Sequence, residues 1–498
     1  MKTINTLILM LFMFNSIKAQ TAKENINADD VVIEGKITDS LLSLVPDKKV
    51  NVTLYVSKFP VNGSLTPREK VVLETKYNEP FKFVIKSPAD RFFMRIDFRM
   101  QNPFKYWSDV DNVYILEKGD RVSCKLSDSF FEFSGKGSEK LQCQSEIYRC
   151  RIKGVNTLIM LSNSGQFDKE VALMHHKLDS INQQRLTIVK HFAPKLGKEM
   201  TDIMIANCHG LKYYTWFRTQ RFFTATPVRI KALINSDTFK KTDLSLMQKI
   251  DPAVLITSPN YCDFVLEKIN LDNLMASDGT INKPELKSKL MFESIKSNYT
   301  GLIREKLLTM FIYNLRMVPY MLDYLDQGLS LVKKQDYREI LETLKRTNMK
   351  GVPFFPFEME DDKNNIIKLA NFKNEIIILD FWYTGCTNCV KLNKSMAPIV
   401  EAYRNNPKVK FISVSIDDDK NQWLKSIKSG LYTHSESINL YAGGKKASSA
   451  SEHPLIRAYN IKSYPTLFII KDGKMYSSLP PRDPQKFKAL IEEALTAD

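Results

Sequence analysis

Nowhere among the 498 residues do about 18 apolar residues run without interruption, the minimum for a bilayer-spanning helix. A glycine-rich phosphate loop, a Ser-His-Asp order, an internal repeat and a nucleic-acid motif are missing as well. Cysteine is scarce: seven residues are too few for a disulfide scaffold in a chain this long, and the odd number leaves at least one thiol outside any pair. Cys143 and Cys150 fall in an expected helix, about 10 Å apart along its axis and beyond the ~7 Å reach of a disulfide, so they are not expected to pair. Cys124, Cys208 and Cys262 stand among apolar neighbours and read as buried, inert thiols.

What is present is globular. Hydrophobic residues make up 43% and charged residues 26%, with 18 Gly and 21 Pro, which excludes collagen-like, coiled-coil and wholly disordered chains. The length suits about three domains. A formal charge of +16 raises the question of nucleic acid, an acidic partner or an anionic membrane surface. The excess is concentrated in residues 136–350, which carry 33 basic and 22 acidic side chains. They are dispersed along expected helices, so they read as solvated faces. Nucleic acid is not expected; an acidic partner or peripheral contact with an anionic membrane surface stays open.

The patterning predicts a multidomain protein. Residues 1–19 join Lys2, the apolar run Leu7 to Phe14 and a small-residue close at Ala19, the form of a cleavable signal peptide. No Cys stands at that cut, so the sequence predicts an exported, periplasmic protein that is not a lipoprotein. Residues 29–135 hold short β-rich runs, among them Val31 to Gly35, Val50 to Val56, Phe81 to Ile85, Phe92 to Phe98, Val113 to Leu116 and Phe130 to Phe133. Turn signals such as Asn62-Gly63 and Lys118-Gly119-Asp120 separate them, so we expect a small antiparallel, β-sandwich-like domain. From 136 to 349 apolar residues recur at three and four spacing, as in Ile181 to Phe192, Leu302 to Leu315 and Tyr337 to Leu344, which predicts an α-helical region. Residues 351–498 alternate strands with helices, the mark of an α/β fold with parallel pairs.

One motif carries chemistry. Ile376 to Trp382 reads as a buried strand, followed by a short loop and a helix that opens at Cys386 and passes through Cys389. At a helix N-terminus, unsatisfied N–H groups and the positive end of the macrodipole favour thiolate over thiol, which makes Cys386 the expected nucleophile. Cys389 lies one turn on, within disulfide reach, so it is the expected resolving thiol and should be the more buried.

This strand, motif and helix, followed by Tyr464-Pro465-Thr466 ahead of a further strand, resemble thioredoxin-like thiol:disulfide oxidoreductases. With the export signal and the N-terminal extensions, the chain is similar to the TlpA-like branch. The resemblance covers residues 351–498. It implies that Asp380 is a buried acid accepting the proton of the resolving thiol and that Pro465 is a cis-proline packed on the redox-active disulfide Cys386–Cys389. It further implies that the Tyr464 backbone is free to pair with substrate and that Trp382 packs under the motif. The pattern departs at Gly385, where many thioredoxins have Trp, and at Thr387-Asn388, which is neither Gly-Pro nor Pro-His. Only Lys408 and Lys410 offer a lysine for the acid. A peroxiredoxin is excluded, since Leu379 and Tyr383 occupy the places of its Pro and Thr.

The expected function is therefore an enzyme, a periplasmic disulfide reductase exchanging electrons with protein disulfides and drawing on an upstream thiol donor, with no cofactor and no metal. Two alternatives stay open. The same Cys-x-x-Cys could hold Cu(I) or Zn(II), with or without a histidine, although His434 and His453 read as surface-loop residues. Or residues 29–349 could be the main functional part, a docking or dimerisation module with an accessory redox domain.

Overall fold

In the computed structural model the described residues are 17–19, 26–38, 43, 47, 49–59, 69–100, 105–107, 112–127, 130–152, 155–223, 227–240, 249–277, 283–316, 318–443, 453–459, 461 and 463–497. The expected signal peptide, apart from 17–19, and the Asn62-Gly63 turn lie outside them. The chain divides into two compact units, Met1–Met310 and Phe311–Asp498.

The first unit begins sheet-rich. Its strands are β1 (Ile17–Ala19), β2 (Val31–Ile37), β3 (Val50–Ser57), β4 (Glu69–Thr75), β5 (Pro80–Ile85), β6 (Arg91–Met100), β7 (Lys105–Trp107), β8 (Tyr114–Glu117), β9 (Arg121–Ser127) and β10 (Phe130–Lys136). One sheet runs β1-β5-β2-β9-β10; the other runs β4-β3-β6-β7, with β8 also on β6. Pairing is antiparallel except between β2 and β9, which run parallel from Val32↔Arg121 to Ile37↔Leu126. An antiparallel-only reading missed that pair because nothing in a strand's own alternation records the direction of its neighbour. Inward residues of both sheets, such as Ile33, Val52, Phe83 and Phe98, join one core. Helix α1 (Ser138–Arg149) is tied to it by polar bonds: Gln144 Oε1 accepts from Ile115 N at 2.9 Å, and Tyr148 Oη donates to Val113 O at 2.8 Å.

Helices follow: α2 (Val155–Asn163), α3 (Phe167–Phe223), α4 (Pro227–Asn235), α5 (Asp237–Lys240), α6 (Pro252–Thr257), α7 (Tyr261–Ala276), α8 (Pro284–Asn298) and α9 (Gly301–Asn314). The α3 run is broken at Gly197, whose φ of 73° and ψ of 169° only glycine adopts readily. Cys124, Cys143, Cys208 and Cys262 are buried, Cys150 is half-buried, and all five are free thiols. No described helix is long and apolar enough to cross a membrane.

In the second unit, helices α10 (Leu322–Leu331) and α11 (Gln335–Asn348) precede a sheet formed by β11 (Glu358–Asp361), β12 (Ile366–Lys368), β13 (Ile376–Trp382), β14 (Val409–Ser415), β15 (Ile438–Tyr441), β16 (Thr466–Lys471) and β17 (Lys474–Ser477). The strand order is β12-β11-β15-β14-β13-β16-β17. The pairs β13/β14 and β14/β15 are parallel, and β13/β16 is antiparallel. Helices α12 (Thr387–Tyr403), α13 (Lys420–Ser429), α14 (Pro454–Ala458) and α15 (Pro484–Thr496) complete the unit.

Central strand β13 explains its own composition. Ile377, Leu379 and Phe381 enter one core with Phe468 and Ile412; Ile376 and Ile378 enter another with Leu392, Met396 and Ile399 of α12 and Phe487 of α15. A strand buried on both faces must be continuously apolar, and each such side chain contributes about 1.5–3 kcal/mol. Asp380 is the one polar residue in β13, and it falls on the face covered by α12 and α15.

Candidate active site

The end of β13 delivers Trp382, and the chain then turns through Tyr383, Thr384 and Gly385 into α12. Cys386 is the N-cap of that helix: its Sγ accepts from the backbone N of Cys389 at 3.1 Å. The same N–H is placed to donate to a thiolate once the pair is reduced. Cys386 and Cys389 are joined as a disulfide with Cα atoms 5.2 Å apart. Both are buried, Cys386 at 4% and Cys389 at 1% exposure, so Cys389 is the more enclosed.

Trp382 lies beneath the motif in a cluster with Cys386, Cys389 and Trp423. Its Nε1 donates to Ser413 Oγ on β14 at 2.6 Å, and its ring stacks on Tyr432 with centroids 5.0 Å apart. The Tyr432 hydroxyl accepts from Gly385 N at 2.9 Å. Gly385 itself has φ 94°, the left-handed region that favours glycine, and a Cβ there would meet no atom within 4 Å. The space beside Gly385 is open.

A second clamp holds the preceding residue. Asp417, buried after β14, accepts from Thr384 N at 2.8 Å and from Thr384 Oγ1 at 2.7 Å, and Thr384 Oγ1 also lies 2.7 Å from Ser426 Oγ of α13. Three residues that the sequence did not single out, Asp417, Ser426 and Tyr432, therefore fix the turn ahead of the nucleophile. They come from elements 30 to 50 positions downstream, and no local periodicity marks them.

Asp380 is half-buried, and its Oδ1 is shut away from solvent with no hydrogen-bond partner among the described residues. Burial pushes its carboxyl from the ordinary 3.8 up to about 7, against the opposing pull of Arg482 and of the Phe381 N–H. Its strand neighbours are Ser413 on β14 and Leu467 on β16. Neither candidate lysine serves it: Lys410 lies 3.9 Å from Glu375, and the cation that acts on Asp380 is Arg482, from the loop before α15.

The Tyr464–Pro465 peptide is cis, and Tyr464 packs edge-on against Tyr383, with centroids 5.6 Å apart. Burial pushes the Tyr464 phenol up to about 12, so it stays protonated at neutral pH. Tyr383 is 40% exposed, a large aromatic face beside the open position at Gly385. The structure thus gathers Cys386, Cys389 and Trp382 into one cluster, which Tyr464 packs against, and places Asp380 on the β13 face packed by α12.

The histidines proposed as spare ligands differ from a surface reading. His434 and His453 are half-buried, and burial lowers the pKa of each. His453 Nδ1 accepts from Leu455 N at 3.3 Å, as the cap of a short helix does, an engagement that spacing alone could not reveal. Among the described residues no group of three or more His, Cys, Asp or Glu could hold a metal ion.

Residues 374–476 match the thioredoxin-like family model. No curated protein matches the chain. Among solved structures, the chain is similar to the thioredoxin domain of a thiol-disulfide oxidoreductase of Bacteroides vulgatus, at 19% identity over 30% of this chain and 100% of that one, with a TM-score of 0.26. It is also similar to a thiol:disulfide interchange protein of a Bacteroides species, at 20% identity over 29% and 90%, TM-score 0.25. A thiol-disulfide oxidoreductase of Bacteroides fragilis matches at 16% identity over 28% and 98%, TM-score 0.24. The C-terminal part of this chain is a thioredoxin-like domain, with Cys386 and Cys389 at the N-terminus of its first long helix.

Proposed function

We propose that the protein is a thiol:disulfide oxidoreductase that works as a reductase of protein disulfides in the periplasm. The observation that carries the reading is the Cys386–Cys389 disulfide at the capped start of α12, with the buried acid Asp380 on the face of β13 that α12 covers. In the reductive direction the Cys386 thiolate attacks one sulfur of a substrate disulfide, and the other substrate sulfur leaves as thiolate. Asp380 takes the proton of Cys389, directly or through water, and the Cys389 thiolate attacks Cys386 Sγ. The mixed disulfide breaks, the substrate departs as a dithiol, and the Cys386–Cys389 bond stores the two oxidising equivalents. An upstream thiol donor then returns the pair to its reduced form. Every electron passes through sulfur, so no organic cofactor enters the cycle.

The open position at Gly385, the exposed Tyr383 face and the Tyr464 backbone support a substrate that is an extended polypeptide. The sheet-rich region, which we take as a sandwich, and the helical region form the other compact unit's bulk; we assign them to substrate docking. Export follows from the reading of residues 1–19.

Trapping tests the roles. In the full chain, Cys389→Ser should accumulate mixed disulfides on Cys386 with disulfide partners from a periplasmic extract, identified by mass mapping, while Cys386→Ser should accumulate none. Mixed disulfides on Cys124 or Cys208 in place of Cys386 would overturn the assignment.

A further inference from the structure

Arg482 lies in the loop between β17 and α15, and its Nη2 donates to the Pro465 carbonyl at 2.9 Å. Pro465 stands two positions before Leu467, and Leu467 is the β16 neighbour of Asp380. With strands about 4.8 Å apart and a rise of about 3.3 Å per residue, the Pro465 and Asp380 backbones are within about 8 Å. One guanidinium therefore reaches the loop beside the disulfide and the field of the buried acid.

The other charged groups around Asp380 are engaged or turned away. On β14, Lys410 pairs with Glu375, and on β16 Lys471 donates to Ala497 O. On α15, Glu492 accepts from Tyr403, and Glu493 accepts from Tyr476 and Lys350. On α12, Lys391 and Lys394 are exposed, and Cys386 and Cys389 titrate only when reduced. Arg482 is the charged side chain that acts on Asp380.

We propose that Arg482 is a positioning residue of the redox site that fixes the Pro465 carbonyl and, with the same guanidinium, steadies the ionised Asp380 that serves Cys389. The proposal rests on the exchange reading above. Its function is to keep the acid able to accept a proton near neutral pH although burial opposes the charge. Removing the cation makes the carboxyl harder to ionise, so the pH at which Cys389 is activated should rise. Since acid and thiol titrate as a coupled pair, the measured midpoint belongs to both.

The test uses reduced full-length protein and 5,5′-dithiobis(2-nitrobenzoate). Attack by Cys386 releases a first thionitrobenzoate, and resolution by Cys389 releases a second, so the steps are read separately. Arg482→Gln keeps a donor for Pro465 O and loses the charge; Arg482→Lys keeps the charge. For Arg482→Gln the midpoint of the second release should move up by about half to one pH unit, the effect of removing one partly screened cation from the field of the buried acid. The first release should keep its profile, and Arg482→Lys should keep the wild-type midpoint. An unmoved midpoint in Arg482→Gln with a normal second release would overturn this proposal alone. Absence of a second release in the wild type would overturn the exchange reading and this proposal with it.

Discussion

Replacing Asp380 by Asn should stabilise the oxidised protein at alkaline pH and cripple it as a reductase, and both effects follow from one burial. The carboxyl is lifted from 3.8 to about 7 because its ionised form loses water and gains only the distant Arg482 and one backbone N–H. At about 1.36 kcal/mol per pH unit, ionising it in the folded state costs on the order of 4 kcal/mol, trimmed toward about 2 kcal/mol by its residual solvent contact. The sign is fixed by linkage. The folded state binds the proton more tightly than the unfolded chain, so wild-type stability is highest below about pH 4 and is lost as pH rises to about 7. The asparagine of the variant carries no charge and incurs no such penalty. Hydrogen exchange of the β13 amides, measured on wild type and Asp380→Asn at pH 5 and pH 8, should show the variant gaining on the wild type by about 2–4 kcal/mol at pH 8, with most of the gain absent at pH 5. Equal protection in the two proteins at both values would refute the claim that Asp380 is ionised at a cost. The same substitution should slow resolution by Cys389 about 100-fold while sparing attack by Cys386, since it removes only the proton acceptor.

Further outcomes follow from the clamps. Asp417→Ala leaves the half-buried Thr384 N–H without its acceptor and its hydroxyl with Ser426 alone, which should cost about 1–2 kcal/mol in urea unfolding of the C-terminal unit and slow disulfide exchange; a variant with unchanged stability would show the clamp to be idle. Gly385→Ala meets no atom, so its cost should be only the left-handed backbone, about 1–2 kcal/mol. Loss of folding in that variant would contradict the open space beside Cys386.

The site was legible in the sequence as far as its chemistry is local. A buried strand, two cysteines one turn apart and a following helix lie within about 30 consecutive residues, and backbone geometry relates them directly; Trp382 and Asp380 came with the strand. The residues that hold the site together were not legible. Arg482 is about 100 positions from Asp380, and Asp417 and Tyr432 lie beyond a helix and a strand, so only the folded sheet brings them to the loop. The lysines sought on β14 were the wrong place to look because Lys410 is drawn to Glu375 at the far end of β13. In the fold, the central strands stood out as continuous apolar runs. The short strands β11, β12, β15 and β17 did not, since three or four residues give too little alternation to read. Strand β9 was legible though not singled out: outward Arg121, Ser123 and Lys125 alternate with inward Val122, Cys124 and Leu126, the pattern of a half-buried strand.

In the proposed cycle Cys386 and Cys389 alternate between disulfide and dithiol. An equilibrium titration of the full protein against glutathione or dithiothreitol, with alkylation and mass mapping of each cysteine, addresses it most directly. One two-electron transition confined to Cys386 and Cys389 is expected, at a potential nearer about −270 mV than about −120 mV, with the five remaining thiols unchanged throughout. A pair that shows no transition, or one protected from alkylation by bound metal, would contradict it.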